Sequence, residues 1–213
     1  MNQEELSAEY GRRYSQVLQP LAKRLESYLI GVLQEVEHID RICARAKAPT
    51  RFIEKASKKL ENGETKYRYP LDQIQDLVGA RVVVLYKQDV ETISSVIDRY
   101  LRHIEHKDIV PDAENQFGYV GKHFIAAFPE DVLDDEVDRM RTPQFFELQV
   151  KTLFQHAWSE AEHDMTYKPQ IEFSSLQRRQ IAFTAAQAWG ADEIFSQLVD
   201  DIHKRTDAVI SAM

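Results

Sequence analysis

Residues that interrupt regular structure are scarce in this chain. Its 213 residues include only 7 glycines and 7 prolines, well below the average use of either residue in globular proteins. Because both residues disfavour the interior of a helix, their scarcity favours long helices and few tight turns. Hydrophobic residues make up 43% of the chain and charged residues 29%, as in globular proteins. The length fits a single domain with helical extensions.

Apolar residues at helical spacing predict most of the secondary structure. The first helix is predicted over residues 4–36, with an interruption or a restart at Pro20. Further helices are predicted over residues 50–60, 90–104 and 153–165. One or two long helices are predicted over residues 176–210, broken near Gly190. Residues 105–117 are polar and are predicted to form a loop.

Three segments have the pattern of β-strands. Residues 78–86 form a short run rich in β-branched residues, which is typical of a buried strand. Residues 119–128 and 145–152 are predicted strands separated by an acidic stretch. Residues 38–46 fit either a strand or a continued helix. Helices packed around such a small central sheet define an α+β domain.

The composition also excludes several classes of protein. The single cysteine, Cys43, excludes an internal disulfide framework and suits a reducing cytosol. No apolar run approaches the roughly 18 residues that a membrane helix needs. The first residues are polar and lack the apolar core of a secretory signal. We therefore expect a cytoplasmic protein without a membrane partner.

Basic residues are concentrated in one part of an acidic chain. The net charge is −8, which argues against nucleic-acid binding by bulk attraction. Residues 41–69, however, contain nine basic and three acidic residues. A local basic segment in an acidic protein suits a small phosphate-bearing ligand, and a solvated helix face is the alternative explanation.

Polar side chains alternate along the predicted strands. A period of two places Glu147, Gln149 and Lys151 on one face of their strand. Tyr119 and His123 share a face of another strand by the same rule. A half-exposed sheet explains any one of these patterns. Together with Asp76 and Arg81 near the third strand, they favour a common cleft.

Such a cleft suits phosphoryl or pyrophosphoryl transfer. The carboxylates of Asp76 and Glu147 are natural ligands for Mg²⁺, and Glu147 is a candidate base for an attacking hydroxyl. Tyr119 and Arg81 each offer a planar group on which a nucleobase can stack. No glycine-rich phosphate loop of the P-loop type is present, so the fold is not that of a P-loop kinase. The cations available to hold phosphate oxygens are Arg45, Lys47, Lys55 and Lys58.

One helix face offers a different chemistry. His156, Glu160 and His163 lie at positions i, i+4 and i+7, and therefore cluster on one side of their predicted helix. They lack the spacing of zinc proteases, and no cysteine cluster completes a structural metal site. Three interpretations stay open: a wall of the cleft, a polar surface, or a transition-metal site.

Five segments, in order, resemble the synthetase domain of RelA/SpoT-type alarmone enzymes. The resemblance extends over about residues 38–168 and is closest to a small, stand-alone, synthetase-only member of that family. Each segment alone is a weak signal, but their order and spacing are specific. The segments are residues 45–55, 76–81, 118–123 and 147–152, and the pair Glu162-His163 followed by Tyr167-Lys168.

The resemblance implies a fold and an activity. Enzymes of the family transfer the β,γ-pyrophosphate of ATP to the 3′-hydroxyl of GDP or GTP. The implied fold is a nucleotidyltransferase-like mixed sheet of about five strands flanked by helices. Residues 38–168 would form this core within a single domain, between N-terminal helices (1–37) and C-terminal helices (169–213). The outer helices would pack on the core or form a homo-oligomer interface.

The resemblance also assigns roles to individual residues. Arg45, Lys47, Lys55 and Lys58 would bind ATP, and Arg81 would stack on its adenine. Asp76 would bind Mg²⁺, and Glu147 would act as base and second metal contact. The remaining residues would bind the acceptor nucleotide: Tyr119 by stacking, and His123, Gln149, Lys151 and His156 by polar contacts.

All departures from the family pattern fall on the acceptor side. Lys151 stands where arginine is usual, and His156 stands where small synthetases often use asparagine to read guanine. Residues 120–122 replace the usual Arg-Ser, and a Pro-Lys segment is missing. ATP therefore remains the expected donor, and synthesis of (p)ppGpp remains the expected reaction. The alternatives are a toxic synthetase that modifies tRNA 3′ ends or adenine nucleotides, and a catalytically silent nucleotide-binding regulator.

Overall fold

The computed structural model describes residues 2–111, 113, 116–118, 120–133, 138–167 and 172–211. Seven helices are labelled in chain order: α1 (Gln3–Arg13), α2 (Gln19–Val32), α3 (Pro49–Ala56), α4 (Pro70–Gln73), α5 (Lys87–Tyr100), α6 (Leu153–Tyr167) and α7 (Ser175–Ser211). The strands are β1 (Ile39–Ala46), β2 (Val78–Val84), β3 (His103–Ile109), β4 (Gly121–Ala127) and β5 (Phe145–Thr152). Among the described residues, no helix is both long and apolar enough to span a membrane.

The five strands form one mixed sheet in the order β1-β2-β5-β4-β3. Strands β2 and β5 are parallel, and the other neighbouring pairs are antiparallel. This mixed sheet with flanking helices confirms the predicted α+β class.

The hydrophobic core lies on one face of the sheet. Phe146, Leu148 and Val150 of β5 are fully buried there, as the alternation in the sequence predicts. Helix α2 contributes Leu21 and Leu25 to the same core. The opposite face of β5 therefore carries its polar side chains away from the core.

The N-terminal arm stays helical through Pro20. A π-helical turn at Tyr14–Leu18 joins α1 to α2, and Pro20 occupies the first turn of α2. A proline there leaves fewer hydrogen bonds unmade than one in a helix interior. The π-helical turn directly before α2 keeps the chain helical up to this proline. The predicted irregularity at Pro20 thus takes the form of a local change in helix type.

Three sequence-based predictions of secondary structure are wrong. The loop predicted over residues 105–117 contains most of β3, and α5 ends at Tyr100 instead of continuing to residue 104. β3 is an edge strand with mostly exposed side chains, so its sequence lacks the alternation that marks a half-buried strand. Helix α7 also continues through Gly190. One glycine costs a helix about 1 kcal/mol relative to alanine, which the flanking turns outweigh.

Other boundaries shift by less. The segment 38–46, for which strand and helix were both open, is strand β1. Helix α3 ends at Ala56, and Lys59 and Thr65 then form an isolated antiparallel bridge. The strand predicted from residue 119 begins at Gly121.

Tyr10 anchors α1 to the segment that leads into α3. Its ring stacks on Phe52 at 3.7 Å between ring centroids and an angle of 2°. Its hydroxyl donates a hydrogen bond of 2.6 Å to the carbonyl oxygen of Lys47. Close by, the buried Arg13 donates to the carbonyl oxygens of Leu71, at 3.0 Å, and Arg141. These contacts fix the N-terminal arm against residues that border the polar face of the sheet.

The Tyr10 anchor can be tested by substitution. Tyr10→Phe keeps the stacked ring but leaves the Lys47 carbonyl without its donor, so we expect a loss of about 1 kcal/mol in the free energy of unfolding. Tyr10→Ala also opens a cavity and should cost about 3–5 kcal/mol. Urea unfolding measures both losses. Tyr100→Phe, at a half-exposed tyrosine, is the control and should change nothing measurable.

Candidate active site

A cleft of about 620 Å³ lies on the polar face of the sheet. Its walls come from β1 and the segment after it, from β2, β4 and β5, and from α6. Gly79 of β2 lines the cleft and carries no side chain that would fill it. Most of the predicted site residues line this cleft: Arg45, Lys47, Asp76, Arg81, His123, Glu147, Gln149 and Lys151.

Three of the predicted site residues that the structure describes lie outside the lining of the cleft. Lys55 is outside the lining but reaches Asp76 with its ammonium group. Lys58 is exposed and outside the lining. His156 is buried beneath the cleft wall. Tyr119 is not among the residues that the structure describes, so its assignment stays a prediction.

Asp76 is held between two lysines. The ammonium nitrogens of Lys47 and Lys55 each lie 2.9 Å from its Oδ2. Burial alone would raise the pKa of Asp76, but the two ammonium groups outweigh burial and lower that pKa below its ordinary value. Its second oxygen, Oδ1, is buried and has no hydrogen-bond partner among the described residues. Asp76 is therefore a charged carboxylate with one oxygen still unpaired.

Glu147 is the second carboxylate of the cleft. Nδ1 of His123 lies 3.2 Å from its Oε1, and the amide nitrogen of Gln149 donates to its Oε2 at 3.0 Å. Burial would raise the pKa of Glu147, but the contact with His123 outweighs it, so the pKa is lowered. The charge of Asp76 acts in the opposite direction. Two carboxylates thus influence each other across the same cleft.

Arg81 is held at its edge by α6. One terminal nitrogen of its guanidinium lies 2.8 Å from Oε1 of Glu160 and 3.3 Å from Nδ1 of His156. Burial and the charge of Arg81 both lower the pKa of His156, so a neutral imidazole can accept from Arg81. Glu160 and His156 therefore constrain the plane of the Arg81 guanidinium.

The three α6 residues for which the sequence left three interpretations open, His156, Glu160 and His163, do not all lie in the same surroundings. Glu160 and His163 line the cleft, while His156 supports Arg81 from below. Among the described residues, no group of three or more histidine, cysteine and acidic side chains is arranged to hold a metal ion. The geometry therefore favours a wall of the cleft over a transition-metal site.

Lys151 is a buried cation in the cleft. Only 3% of the residue is exposed, and its ammonium donates to Oγ of Ser159 at 3.0 Å. Burial, and then the nearby charge of Arg81, lower the pKa of Lys151 to about 8. The amine therefore loses its proton within the pH range in which many enzymes are assayed.

Sequence reasoning missed two residues of the wall that α6 forms. Trp158 and Ser159 line the cleft, as does Glu162, which the sequence analysis named only as part of a family segment and without a role. Ser159 lies three positions after His156, so helical spacing from that residue would have found it. Nothing in the sequence marks Trp158, whose indole nitrogen donates to Thr184 of α7 at 3.1 Å.

Carboxylates facing several cations on a mixed sheet are typical of proteins that handle phosphate esters. The comparisons agree with this class. The family model for the region found in RelA/SpoT proteins matches residues 44–172. Because the match spans more than half of the chain, the chain belongs to the RelA/SpoT family, which confirms the predicted resemblance.

Named relatives are similar along nearly the whole chain. GTP pyrophosphokinase YjbM of Bacillus subtilis is 19% identical over 195 residues, which cover 90% of this chain and 87% of the relative. A GTP pyrophosphokinase family protein from Streptococcus pneumoniae is 24% identical with a TM-score of 0.72, covering 96% of this chain and 97% of its own.

The small alarmone synthetase 1 of Bacillus subtilis has a similar fold in two liganded structures. Bound to its product pppGpp, it is 17% identical with a TM-score of 0.68, covering 85% of this chain and 92% of its own. Bound to AMPCPP, it is 16% identical with a TM-score of 0.68, covering 94% and 99%. At these identities the structures establish the fold.

The ion pairs of Asp76 predict how acid affects stability. Because the pKa of Asp76 is lowered on folding, its contribution is present above the ordinary carboxyl range and is lost as the pH falls through the folded pKa. Lys47→Met removes one ion pair and should cost on the order of 1 kcal/mol at pH 7. That difference should shrink towards pH 3 in urea unfolding. Lys58→Met is the control, and an equal loss in both variants would contradict the assignment.

Proposed function

We propose that this protein is an ATP-dependent nucleotide 3′-pyrophosphokinase that makes (p)ppGpp. The oxygen of the 3′-hydroxyl of GDP or GTP forms a bond to the β-phosphorus of ATP, and the bond from that phosphorus to the α,β-bridging oxygen breaks. The products are AMP and a guanine nucleotide with a 3′-pyrophosphate. The observation that carries this proposal is the pair of charged carboxylates, Asp76 and Glu147, facing cations in one cleft. Family membership and the pyrophosphokinase names of the relatives support it.

The donor side of the proposed site uses the basic residues around β1 and β2. Arg45 and Lys47 line the cleft and would bind phosphate oxygens of ATP. Lys55 would join them once the phosphates compete with Asp76 for its ammonium group. Arg81 offers a flat face for the adenine, because Glu160 holds its edge. Lys58 stays a prediction, since its side chain is exposed outside the lining.

The carboxylate oxygens of the cleft also fit a magnesium ion. Mg²⁺ is commonly bound by one or two carboxylates together with substrate phosphates. The unpaired Oδ1 of Asp76 and the carboxylate of Glu147 supply such oxygens. When bound, the ion would neutralise charge on the triphosphate.

Glu147 is the proposed base. It is ionised at neutral pH because its pKa is lowered, so it can accept the proton of the 3′-hydroxyl. Its contact with His123 holds the carboxylate in place and offers a second group for that proton. Gln149 orients the other carboxylate oxygen through its amide.

The acceptor side rests on fewer described residues. Gln149, Lys151 and His123 line the cleft and would contact the acceptor nucleotide, with Tyr119 as the proposed stacking partner of its base. His156 bonds to Arg81, so we now assign it to support of the donor side instead of contact with guanine. A cytoplasmic location remains part of the proposal, since the cytoplasm supplies nucleotides and a reducing environment. Assembly into a homo-oligomer also remains part of the proposal.

An acceptor screen tests the function. The protein is incubated with Mg²⁺ and ATP labelled at the γ-phosphate, and GDP, GTP, ADP and bulk tRNA are offered separately. We expect label on GDP or GTP. Asp76→Asn should lose most of this activity and keep its fold by circular dichroism, because a neutral amide binds Mg²⁺ poorly. Label only on tRNA or ADP would replace the proposed acceptor, and label on none of them would overturn the proposed reaction.

The pKa of Lys151 predicts an alkaline limit to activity. Because that pKa is lowered to about 8, the ammonium is almost fully charged below about pH 7, is half lost near pH 8 and is largely neutral above about pH 9. Acceptor kcat/KM should fall over that range if the charge binds the acceptor. Lys151→Arg keeps a cation at all these pH values and should move the fall to higher pH. An unchanged alkaline limb in the variant would assign the fall to another group.

A further inference from the structure

Helix α7 buries two alanines, Ala185 and Ala188, and one carboxylate, that of Asp192. Only 5% of Asp192 is exposed, whereas α7 is almost entirely exposed beyond residue 196. The reaction proposed above gives Asp192 no role, and Asp192 does not line the cleft. A buried carboxylate costs folding free energy unless it makes strong hydrogen bonds, so its contacts show what it stabilises.

Those contacts lead to the start of α6. Oδ2 of Asp192 accepts a hydrogen bond of 2.8 Å from the hydroxyl of Thr152. The same hydroxyl oxygen accepts from the backbone N–H of Gln155 at 3.2 Å. Thr152 is the last residue of β5 and therefore caps the N-terminus of α6. Asp192 fixes the direction of the Thr152 hydroxyl and leaves its lone pair available for the cap.

The capped junction carries groups that face the cleft. Lys151 directly precedes Thr152, and its partner Ser159 lies in the second turn of α6. Glu160, which holds Arg81, lies on the same helix. A rotation of α6 about its first turn would therefore move Ser159 and Glu160 relative to the polar face of β5.

Other contacts of α7 support the same part of the molecule. Phe154 stacks against Phe195 at 5.6 Å between ring centroids. Trp189 contacts Phe117, two positions before the predicted acceptor residue Tyr119, at 5.7 Å. Helix α7 thus packs against the first turn of α6 and also contacts Phe117, which precedes β4. Asp192 is its one fully polar anchor to β5 among the contacts that the structure describes.

The electrostatic setting makes this anchor sensitive to protonation. Burial raises the pKa of Asp192 to about 6, against the hydrogen bonds from Thr152 and Gln155. Among charged neighbours, Glu193 raises that pKa and Lys87 of α5 lowers it, and these two are paired with each other. Oδ1 of Asp192 and Oε1 of Gln155 are both buried acceptors without a partner among the described residues. Protonation of Asp192 would turn its carboxylate into a hydrogen-bond donor beside Oε1 of Gln155, which lacks one in the described part of the chain.

We propose that Asp192 is a positioning residue for the acceptor half of the active site, acting through Thr152 and the N-terminus of α6. This inference rests on the proposed function. It predicts that the C-terminal helix, although outside the cleft, sets how well Lys151 and Ser159 meet the acceptor nucleotide.

The kinetic test compares four variants at pH 7.5. Asp192→Ala should lower acceptor kcat/KM about tenfold and raise the KM for ATP by a clearly smaller factor, because α6 affects the ATP side only through its contacts with Arg81, which is anchored in β2. Thr152→Val should reproduce this effect, whereas Thr152→Ser and Asp192→Asn keep the necessary polar atoms and should remain within about twofold of wild type. Asp200→Ala, at an exposed carboxylate of the same helix, is the control. Equal effects on ATP and acceptor would overturn the proposal.

The energetic test does not require turnover. The double variant Asp192→Ala/Thr152→Val should be no less stable in urea than the worse single variant, because both remove one interaction. Because the pKa of Asp192 is raised on folding, wild type should lose stability relative to Asp192→Asn as the pH rises from the ordinary carboxyl range through about 6, and the difference should stay constant at higher pH. Additive losses and a pH-independent difference would contradict the link. If wild type transfers no label, the proposed function fails, while this cycle still decides whether Asp192 and Thr152 are coupled.

Discussion

The candidate site depends on strand β5, which carries apolar side chains on one face and polar side chains on the other. It lies in the middle of the sheet, parallel to β2 and antiparallel to β4. Phe146, Leu148 and Val150 fill the core, and Glu147, Gln149 and Lys151 line the cleft. A shift of one residue in this register would bury Glu147 and expose Leu148. The cost of burying a carboxylate in the core therefore protects the geometry of the site.

The same register assembles the site from distant parts of the sequence. Gln149 is paired with Arg81 on one side and with His123 on the other. Residues paired across strands point to the same face, so three polar side chains from three strands meet in one row. The cations of the segment after β1 then approach from the edge, where Lys47 and Lys55 meet Asp76. Basic and acidic residues that are far apart in the sequence therefore form ion pairs in the fold.

Much of this arrangement could be predicted because it is periodic. Alternation along β5 identified Glu147, Gln149 and Lys151, and family order identified Asp76 and Arg81. Periodicity failed where a strand is exposed on both faces, as edge strand β3 mostly is. Long-range contacts left no local signal at all. The support of Arg81 by His156, and of Thr152 by Asp192, joins residues that are 75 and 40 positions apart.

The acceptor side differs from the family pattern in a physically coherent way. Lys151 lies in a buried position beside Arg81, which lowers its pKa. A second guanidinium there would place two permanent charges close together in a low dielectric. An ammonium is smaller and can bond to Ser159, which α6 presents because Thr152 caps its first turn. The substitution by lysine, the serine on α6 and the carboxylate on α7 therefore form one connected arrangement, and under the proposed function the specificity for the acceptor would depend on that arrangement and not on Lys151 alone.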